Sequence, residues 1–492
     1  MSMIQVQNLT FSYPSSFDNI FEDVSFQIDT DWKLGFIGRN GRGKTTFFNL
    51  LLGKYDYSGK IISSVEFNYF PYPVSDKSRF TYEILEEICP RAEDWEFLRE
   101  LSYLDMDAEA MYRPFETLSN GEQTKVLLAA LFLNEGQFLL IDEPTNHLDT
   151  HARKLVANYL NRKKGFILIS HDRNFLDGCV DHILSINRAN IEVQSGNYSS
   201  WKLNFDRQQE HEEVTNERLQ KDIGRLQQSS KRSANWSNQV EASKNGTTNS
   251  GSKLDKGYVG HKAAKMMKRA KSLESRQQKA IEEKSKLLKN VEKAEALQVE
   301  PLEYKSKELI QLVDVAVMYD GEFVNTPISF CVEQGDRVVL DGRNGSGKSS
   351  ILKLILGQPL QHTGALSVGS GLVISYVQQD TSHLKGKLSD FIEENQIDEQ
   401  LFKAILRKMD FDRIQFEKDI SYYSGGQKKK LLIAKSLCEK AHLYIWDEPL
   451  NFIDVYSRMQ IEELINNFMP TMVFVEHDQA FQEHIATKTI TL

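Results

Sequence analysis

The sequence predicts an α/β protein of two tandem domains joined by a long α-helical hairpin, and three observations carry that prediction. First, the stretch LGFIGRNGRGKTTFFNL (residues 34–50) reappears as VVLDGRNGSGKSSILKL (338–354), so the chain is a tandem duplication. Three further pairs recur in the same order: LSNGEQ (118–123) with YSGGQK (423–428), FLLIDEPTNHLD (138–149) with LYIWDEPLNFID (443–454), and LISHD (168–172) with FVEHD (474–478). Second, short apolar runs alternate with helical stretches in each half, the pattern of α/β units around a largely parallel sheet. Third, the composition changes abruptly between the halves. Residues 221–290 hold 17 Lys and Arg against 6 Asp and Glu, whereas the whole chain carries a net charge of -9.

These features divide the chain into a first domain at 1–203, a basic two-helix linker at 204–300 and a second domain at 301–492. In the linker's first half Val214, Leu219, Ile223 and Leu226 fall at or near three- and four-residue steps from Phe205 onward, and in its second half Met266, Leu273, Ala280, Leu287 and Ala294 recur every seven residues. Two antiparallel helices follow from this, with a tip near 235–262. Within the tip, SKNGTTNSGSKLDKGYVGH (243–261) has four Gly and only Leu254, Tyr258 and Val259 as apolar residues, so it cannot form a core of its own.

A chain of 492 residues is long enough for several full cores. Its cysteines, Cys89, Cys179, Cys331 and Cys438, lie singly and offer neither a disulfide framework nor a zinc-ligand spacing, which fits a reducing cytoplasm. Nowhere do about 18 apolar residues follow one another, so the reading is of a soluble cytoplasmic protein that does not cross a membrane.

Each GxxxxGK[ST] stretch follows an apolar run and opens a helical one, the setting of a phosphate-binding loop. Gly38, Gly41 and Gly43 let the backbone curl so that its N–H groups face phosphate oxygens, with the positive end of the next helix behind them. Lys44 then reaches the β and γ phosphates of ATP, and Thr45 ligates Mg²⁺; Asn40 and Thr46 complete the loop. Gly342, Asn344, Gly345, Gly347, Lys348, Ser349 and Ser350 repeat these roles. An apolar run ends in Asp142-Glu143 and again in Asp447-Glu448, where the Asp serves the Mg²⁺ shell and the Glu polarises the attacking water. His171 and His477 each follow an apolar run and precede Asp, placed for the γ-phosphate or the water.

Together these motifs resemble an ATP-binding cassette protein of the F subfamily, two fused ATPase cassettes without a membrane domain, and the resemblance covers the whole chain. LSNGEQ and YSGGQ resemble the cassette signature, and EPTNHLD resembles the Walker B region and D-loop of this subfamily. The resemblance implies a monomer whose cassettes pair head to tail: Gly38–Thr45, Asp142, Glu143 and His171 face Ser424, Gly425 and Gly426, while Gly342–Ser349, Asp447, Glu448 and His477 face Ser119, Asn120 and Gly121. It also implies adenine stacking by Tyr13 and Tyr319, and Mg²⁺ contact by Gln379 at the second Q-loop. Three departures stand out: Tyr72 at the first Q-loop position, Asn120 for a signature Gly, and Phe452-Ile453 for His-Leu.

The absence of a long insertion between Tyr72 and Leu118, the long linker and WDEPLNFID resemble the antibiotic-resistance branch, most like its Lsa type. That implies an ATPase protecting bacterial ribosomes from lincosamides, streptogramin A compounds and pleuromutilins. On this reading the linker enters from the E site of the 70S ribosome toward P-site tRNA and 23S rRNA and hydrolysis releases the protein; the +11 segment suits RNA phosphates. Tyr258, with Trp236, Lys244, Lys262 and Lys265, makes the ribosome or tRNA contact, and no DNA partner is implied. The alternatives are a general translation factor of the same subfamily and, less in keeping with a basic hairpin, the ATPase of a membrane transporter.

Overall fold

The computed structural model describes residues 2–13, 19–134, 136–146, 148–187, 190–242, 301–319, 321–409, 411 and 413–492. The first half contributes strands β1 (Met3–Phe11), β2 (Phe21–Asp29), β3 (Lys33–Ile37), β4 (Ser58–Ile62), β5 (Glu66–Phe70), β6 (Gln137–Asp142), β7 (Phe166–Ile169), β8 (His182–Asn187) and β9 (Asn190–Ser195). Its helices are α1 (Lys44–Leu51), α2 (Thr81–Ile88), α3 (Asp94–Tyr103), α4 (Asn120–Phe132), α5 (Thr150–Asn161) and α6 (Arg173–Cys179), followed by α7 (Tyr198–Ala242). The core sheet runs β5-β6-β7-β3-β8-β9, parallel except for β9, and a smaller antiparallel sheet runs β2-β1-β4.

The second half repeats the plan with β10 (Glu308–Tyr319), β11 (Glu322–Phe323), β12 (Ile328–Glu333), β13 (Arg337–Asp341), β14 (Gln361–Val368), β15 (Ile374–Val377), β16 (Leu443–Asp447), β17 (Met472–Val475) and β18 (Lys488–Thr491). The helices here are α8 (Lys348–Ile355), α9 (Leu388–Glu394), α10 (Glu399–Lys408), α11 (Gly425–Cys438), α12 (Val455–Phe468) and α13 (Gln479–Ile485). Its parallel sheet runs β15-β16-β17-β13-β18. The expected duplication of α/β domains is therefore the fold observed.

Local chemistry explains the main elements. β7 and β17 read FILI and MVFV with every residue buried, as central parallel strands covered on both faces require. β1 instead alternates, but Val6 and Leu9 both face the core although three residues apart, because Asn8 sits in left-handed backbone at a bulge. Asp314 repeats that device in β10, and short Asn or Asp side chains tolerate this conformation better than most.

The order of the strands creates the site. β3 and β6 flank β7, so the loop after β3, the Asp-Glu pair ending β6 and the His after β7 meet at neighbouring carboxyl ends, where α/β sheets bind ligands. β13, β16 and β17 do the same in the second half.

The two halves belong to one compact unit, which takes in Tyr198 and Trp201 at the start of α7; a second unit begins at Lys202. α7 continues through residues 235–242, so this part of the expected tip is helical. Lys244, Tyr258, Lys262, Lys265 and the heptad from Met266 to Ala294 lie outside the described residues, as do the surroundings of the Trp236 side chain. Among the described residues no helix is long and apolar enough to cross a membrane.

Candidate functional site

The first loop ends at Gly43, whose φ of 95° is left-handed; a Cβ there would stand 2.5 Å from Ile20 Cγ2, so only Gly fits. No side chain caps α1, which leaves its first N–H groups to a ligand. Lys44 is buried, with Nζ donating to Gly38 O (2.6 Å) and Arg39 O (3.2 Å). Thr45 Oγ1 donates to Asp142 Oδ2 at 3.0 Å. The second loop repeats this, with Lys348 Nζ 2.8 Å from both Gly342 O and Arg343 O, and Ser349 Oγ 3.1 Å from Asp447 Oδ1. Tyr13 and Tyr319 stand over the helices that follow, their hydroxyls 2.9 Å from Thr46 Oγ1 and 3.4 Å from Ser350 Oγ.

Both glutamates occupy left-handed backbone, Glu143 at φ 51° and Glu448 at φ 46°, where a non-Gly residue is strained by about 1–3 kcal/mol. Each is pinned through its N–H, to Ile169 O (2.9 Å) and Val475 O (3.0 Å) respectively. The carboxylates then part company. Glu143 Oε1 lies 3.2 Å from His171 Nε2 and makes no hydrogen bond among the described residues. Burial, then repulsion from Asp142, pushes its pKa up. Burial, then Lys44 and Arg458, holds His171 neutral well below its ordinary pKa. Glu448 Oε2 instead accepts from Gln379 Nε2 (2.7 Å) and Asn451 Nδ2 (2.6 Å), with His477 Nε2 3.6 Å from its other oxygen. Burial alone would raise Glu448, but His477 and the two amides overcome it and bring the pKa down to about 2.

Tyr72 stands two residues past β5, as Gln379 stands two past β15. Tyr72 turns away and donates to Glu87 Oε1 at 3.2 Å; Tyr69, inside β5, is the residue that reaches the site, donating to Asp142 Oδ2 at 3.1 Å. Glu476 is another residue that sequence reasoning missed. It is buried, and its carboxylate accepts from Leu450 N (2.7 Å) and His477 N (2.8 Å), fixing the segment on either side of Glu448's partners.

Ser119 and Ser424 each begin a helix through a reciprocal capping box, with Glu122 and Gln427 as the third helical residue. The second of these helix starts faces the first loop. Asn40 Nδ2 donates to Phe452 O at 2.7 Å, and a Cβ on Gly426 would lie 3.0 Å from Asn40 Nδ2. At the other loop, Asn344 N donates to Asp149 Oδ2 at 3.3 Å. Each loop thus meets the opposite half of the chain.

The residues fit a nucleoside triphosphate with a divalent cation. Among the described residues both loop lysines hold backbone carbonyls and, at Lys44, Asn40 Oδ1; both hydroxyl–carboxylate pairs offer oxygen ligands suited to a hard cation. Glu143 Oε1 and both ring nitrogens of His477 are buried without a hydrogen-bond partner among the described residues, which leaves them polar capacity to spend on a ligand.

A family model described as "ABC transporter" matches residues 21–146 and 325–451. The ribosome protection protein VmlR of Bacillus subtilis (strain 168) is 26% identical over 505 residues, spanning 100% of this chain and 87% of that protein. ABC transporter F family member 2 of Arabidopsis thaliana is 24% identical over 549 residues, spanning 99% of this chain and 76% of that one. Among solved structures, the complex of the archaeal ribosomal stalk protein aP1 and the ribosome recycling factor aABCE1 is similar in fold, with a TM-score of 0.63 at 16% identity over 98% of this chain and 87% of that one.

Proposed function

We propose, from the premise that the chain belongs to the ABC transporter family, that it is an F-subfamily ATPase which binds bacterial ribosomes and protects them from antibiotics of the peptidyl transferase centre. The chain is an ATP-hydrolysing enzyme. The observation that carries the rest is the +11 charge of residues 221–290, set between two ATPase domains in a chain that is acidic elsewhere. Such a segment suits RNA phosphates, and a relative matched along the whole of this chain is named a ribosome protection protein.

In this reading Lys44 and Lys348 exchange backbone carbonyls for the β and γ phosphates, and the N–H groups opening α1 and α8 close around them. Thr45 with Asp142, and Ser349 with Asp447 and Gln379, would hold Mg²⁺, which would supply positive charge to offset that of the phosphates. Glu143 and Glu448 orient the attacking water and take its proton, His171 and His477 contact the γ-phosphate, and Tyr13 and Tyr319 stack on adenine. Ser119 to Gly121 and Ser424 to Gly426 present helix N-termini to the nucleotide held by the opposite cassette. Nucleotide closes the cassettes, the closed form occupies the E site, and the linker, with Tyr258 as its aromatic probe, displaces P-site tRNA and 23S rRNA so that lincosamides, streptogramin A compounds and pleuromutilins leave. Hydrolysis then releases the protein.

Replacing Glu143 and Glu448 together by Gln tests the reading: with ATP, the double variant should co-sediment with 70S ribosomes far more than the native chain. Equal sedimentation refutes closed-state binding. Unchanged tolerance to lincosamides and pleuromutilins in a susceptible bacterium expressing the native chain refutes protection and favours a general translation factor.

A further inference from the structure

Arg173 opens α6 two residues after His171 and is buried. Its guanidinium crosses into the second cassette: Nη1 donates to Glu462 Oε2 at 3.2 Å, Nη2 to Glu462 Oε1, and Nη2 lies 3.5 Å from Asp478 Oδ2. Asp478 follows His477 directly and is fully buried. The same oxygen accepts from Arg458 Nη1 at 2.8 Å, while Oδ1 caps α13 by accepting from Phe481 N at 3.0 Å. Arg458 in turn donates to Ile453 O (2.9 Å) and Leu450 O (3.0 Å), bracketing Phe452, whose carbonyl holds Asn40 of the first loop. One continuous set of contacts therefore joins the segment of His171, the segment of His477 and the first phosphate loop.

The first half repeats part of this set, with Arg153 Nη1 donating to Asp172 Oδ2 at 2.9 Å and Asp172 Oδ1 capping α6, but the crossing contact of Arg173 is one-sided. Aligning the halves on Asp149 and Asp454, and on Asp172 and Asp478, places Ala157 opposite Glu462 and Gln479 opposite Arg173. The mirror-image contact would lack both charges. A buried ion pair is retained at a desolvation cost that only close, complete pairing offsets, and such fixed pairing selects one arrangement of the elements it joins.

We propose that Arg173 is a positioning residue that couples the two hydrolysis sites: seated on Glu462 and Asp478, it makes turnover at one site depend on the state of the other through a contact that exists on one side of the cassette pair only. This goes beyond ribosome protection and stands on ATP hydrolysis alone.

ATP turnover by the purified full-length chain tests it, using E143Q and E448Q to silence one site at a time. Independent sites, equal or not, would leave two single-site rates that add up to the native rate. Coupled sites leave less, by about fivefold or more. With R173Q as background, the two single-site rates should again add up to roughly the R173Q rate. E462A should do the same, and the R173Q/E462A pair should go no further than either change alone. Should R173Q not fold, E462A gives the same reading. Native sites that already behave independently, or a single-site fraction that R173Q and E462A leave unmoved, overturn the proposal; a merely structural role would lower all rates together and leave that fraction unchanged.

Discussion

Removing the amides that hold Glu448, by Gln379→Ala with Asn451→Ala, should slow hydrolysis at the second site and make it acid-sensitive. Each amide makes a hydrogen bond to a carboxylate, at 2.7 and 2.6 Å, on a side chain only 16% exposed. Bonds to charged groups contribute about 1.5–3 kcal/mol each. Water can replace part of that at a partly open site, so a net loss of about 1–3 kcal/mol is expected for the pair, roughly 5- to 150-fold in rate. The sign of the pH effect follows from the carboxylate's surroundings. Burial pushes Glu448 up, and His477 with the two amides brings it down to about 2. Without the amides burial gains weight, the pKa rises, and the ionised base is lost at a higher pH. The assay is steady-state ATP hydrolysis from acid to neutral pH in the E143Q background, where only the second site turns over. An undiminished rate, or an acid limb that does not move upward, would refute the claim that these amides hold the base.

Two further expectations concern the fold and the interface. Lys430→Met strands Asp454, whose carboxylate is fully buried and 3.1 Å from Lys430 Nζ, and should lower unfolding stability by about 3–5 kcal/mol at neutral pH in urea titrations. Burial favours the protonated Asp454, but Lys430 outweighs it and holds the pKa below the ordinary range, so the pair's stabilisation is present above the unfolded pKa of about 3.9 and fades as pH falls through the lower folded value. The deficit of Lys430→Met should shrink in acid accordingly. Gly426→Ala would put a Cβ 2.3 Å from Phe452 O, against a nearest contact of 3.5 Å for Gly425→Ala, so turnover should fall more for Gly426→Ala than for Gly425→Ala.

What could be read beforehand was chemistry that is local in the chain. The loop glycines encode a backbone path, since a left-handed turn against Ile20 admits no side chain at Gly43, and the apolar runs ending in Asp-Glu encode buried parallel strands. Capping boxes are equally visible as Ser followed three residues on by Glu or Gln. Contacts between residues far apart were not visible. Nothing near Asn40 points to Phe452, and Arg173 at the start of a helix looks like a solvated surface charge until Glu462 is brought to it. Tyr69 is hidden from the sequence for the same reason. β5 pairs with β6 in a register that sets Tyr69 against Leu140, within reach of Asp142, whereas Tyr72, two residues past the strand, meets Glu87.

Duplication followed by divergence explains why the two sites share a framework and differ in its supports. The loop lysines, the hydroxyl–carboxylate pairs and the strained glutamates match in both halves, because each depends on its own β strand, turn and helix. The differences lie one layer out. Ser170 stands where Glu476 holds His477, and a tyrosine hydroxyl serves Asp142 in a site without the amide that Gln379 supplies to Glu448. Arg173 reaches across the interface where Gln479 is its counterpart. Such positions can change without breaking the nucleotide cradle, yet they set whether the glutamate is ionised and how firmly the interface is held. If these glutamates orient the attacking water as proposed, the second site, whose Glu448 is anchored by two amides, should turn over faster than the first, whose Glu143 Oε1 has no hydrogen-bond partner among the described residues, so E143Q should leave more of the native turnover than E448Q.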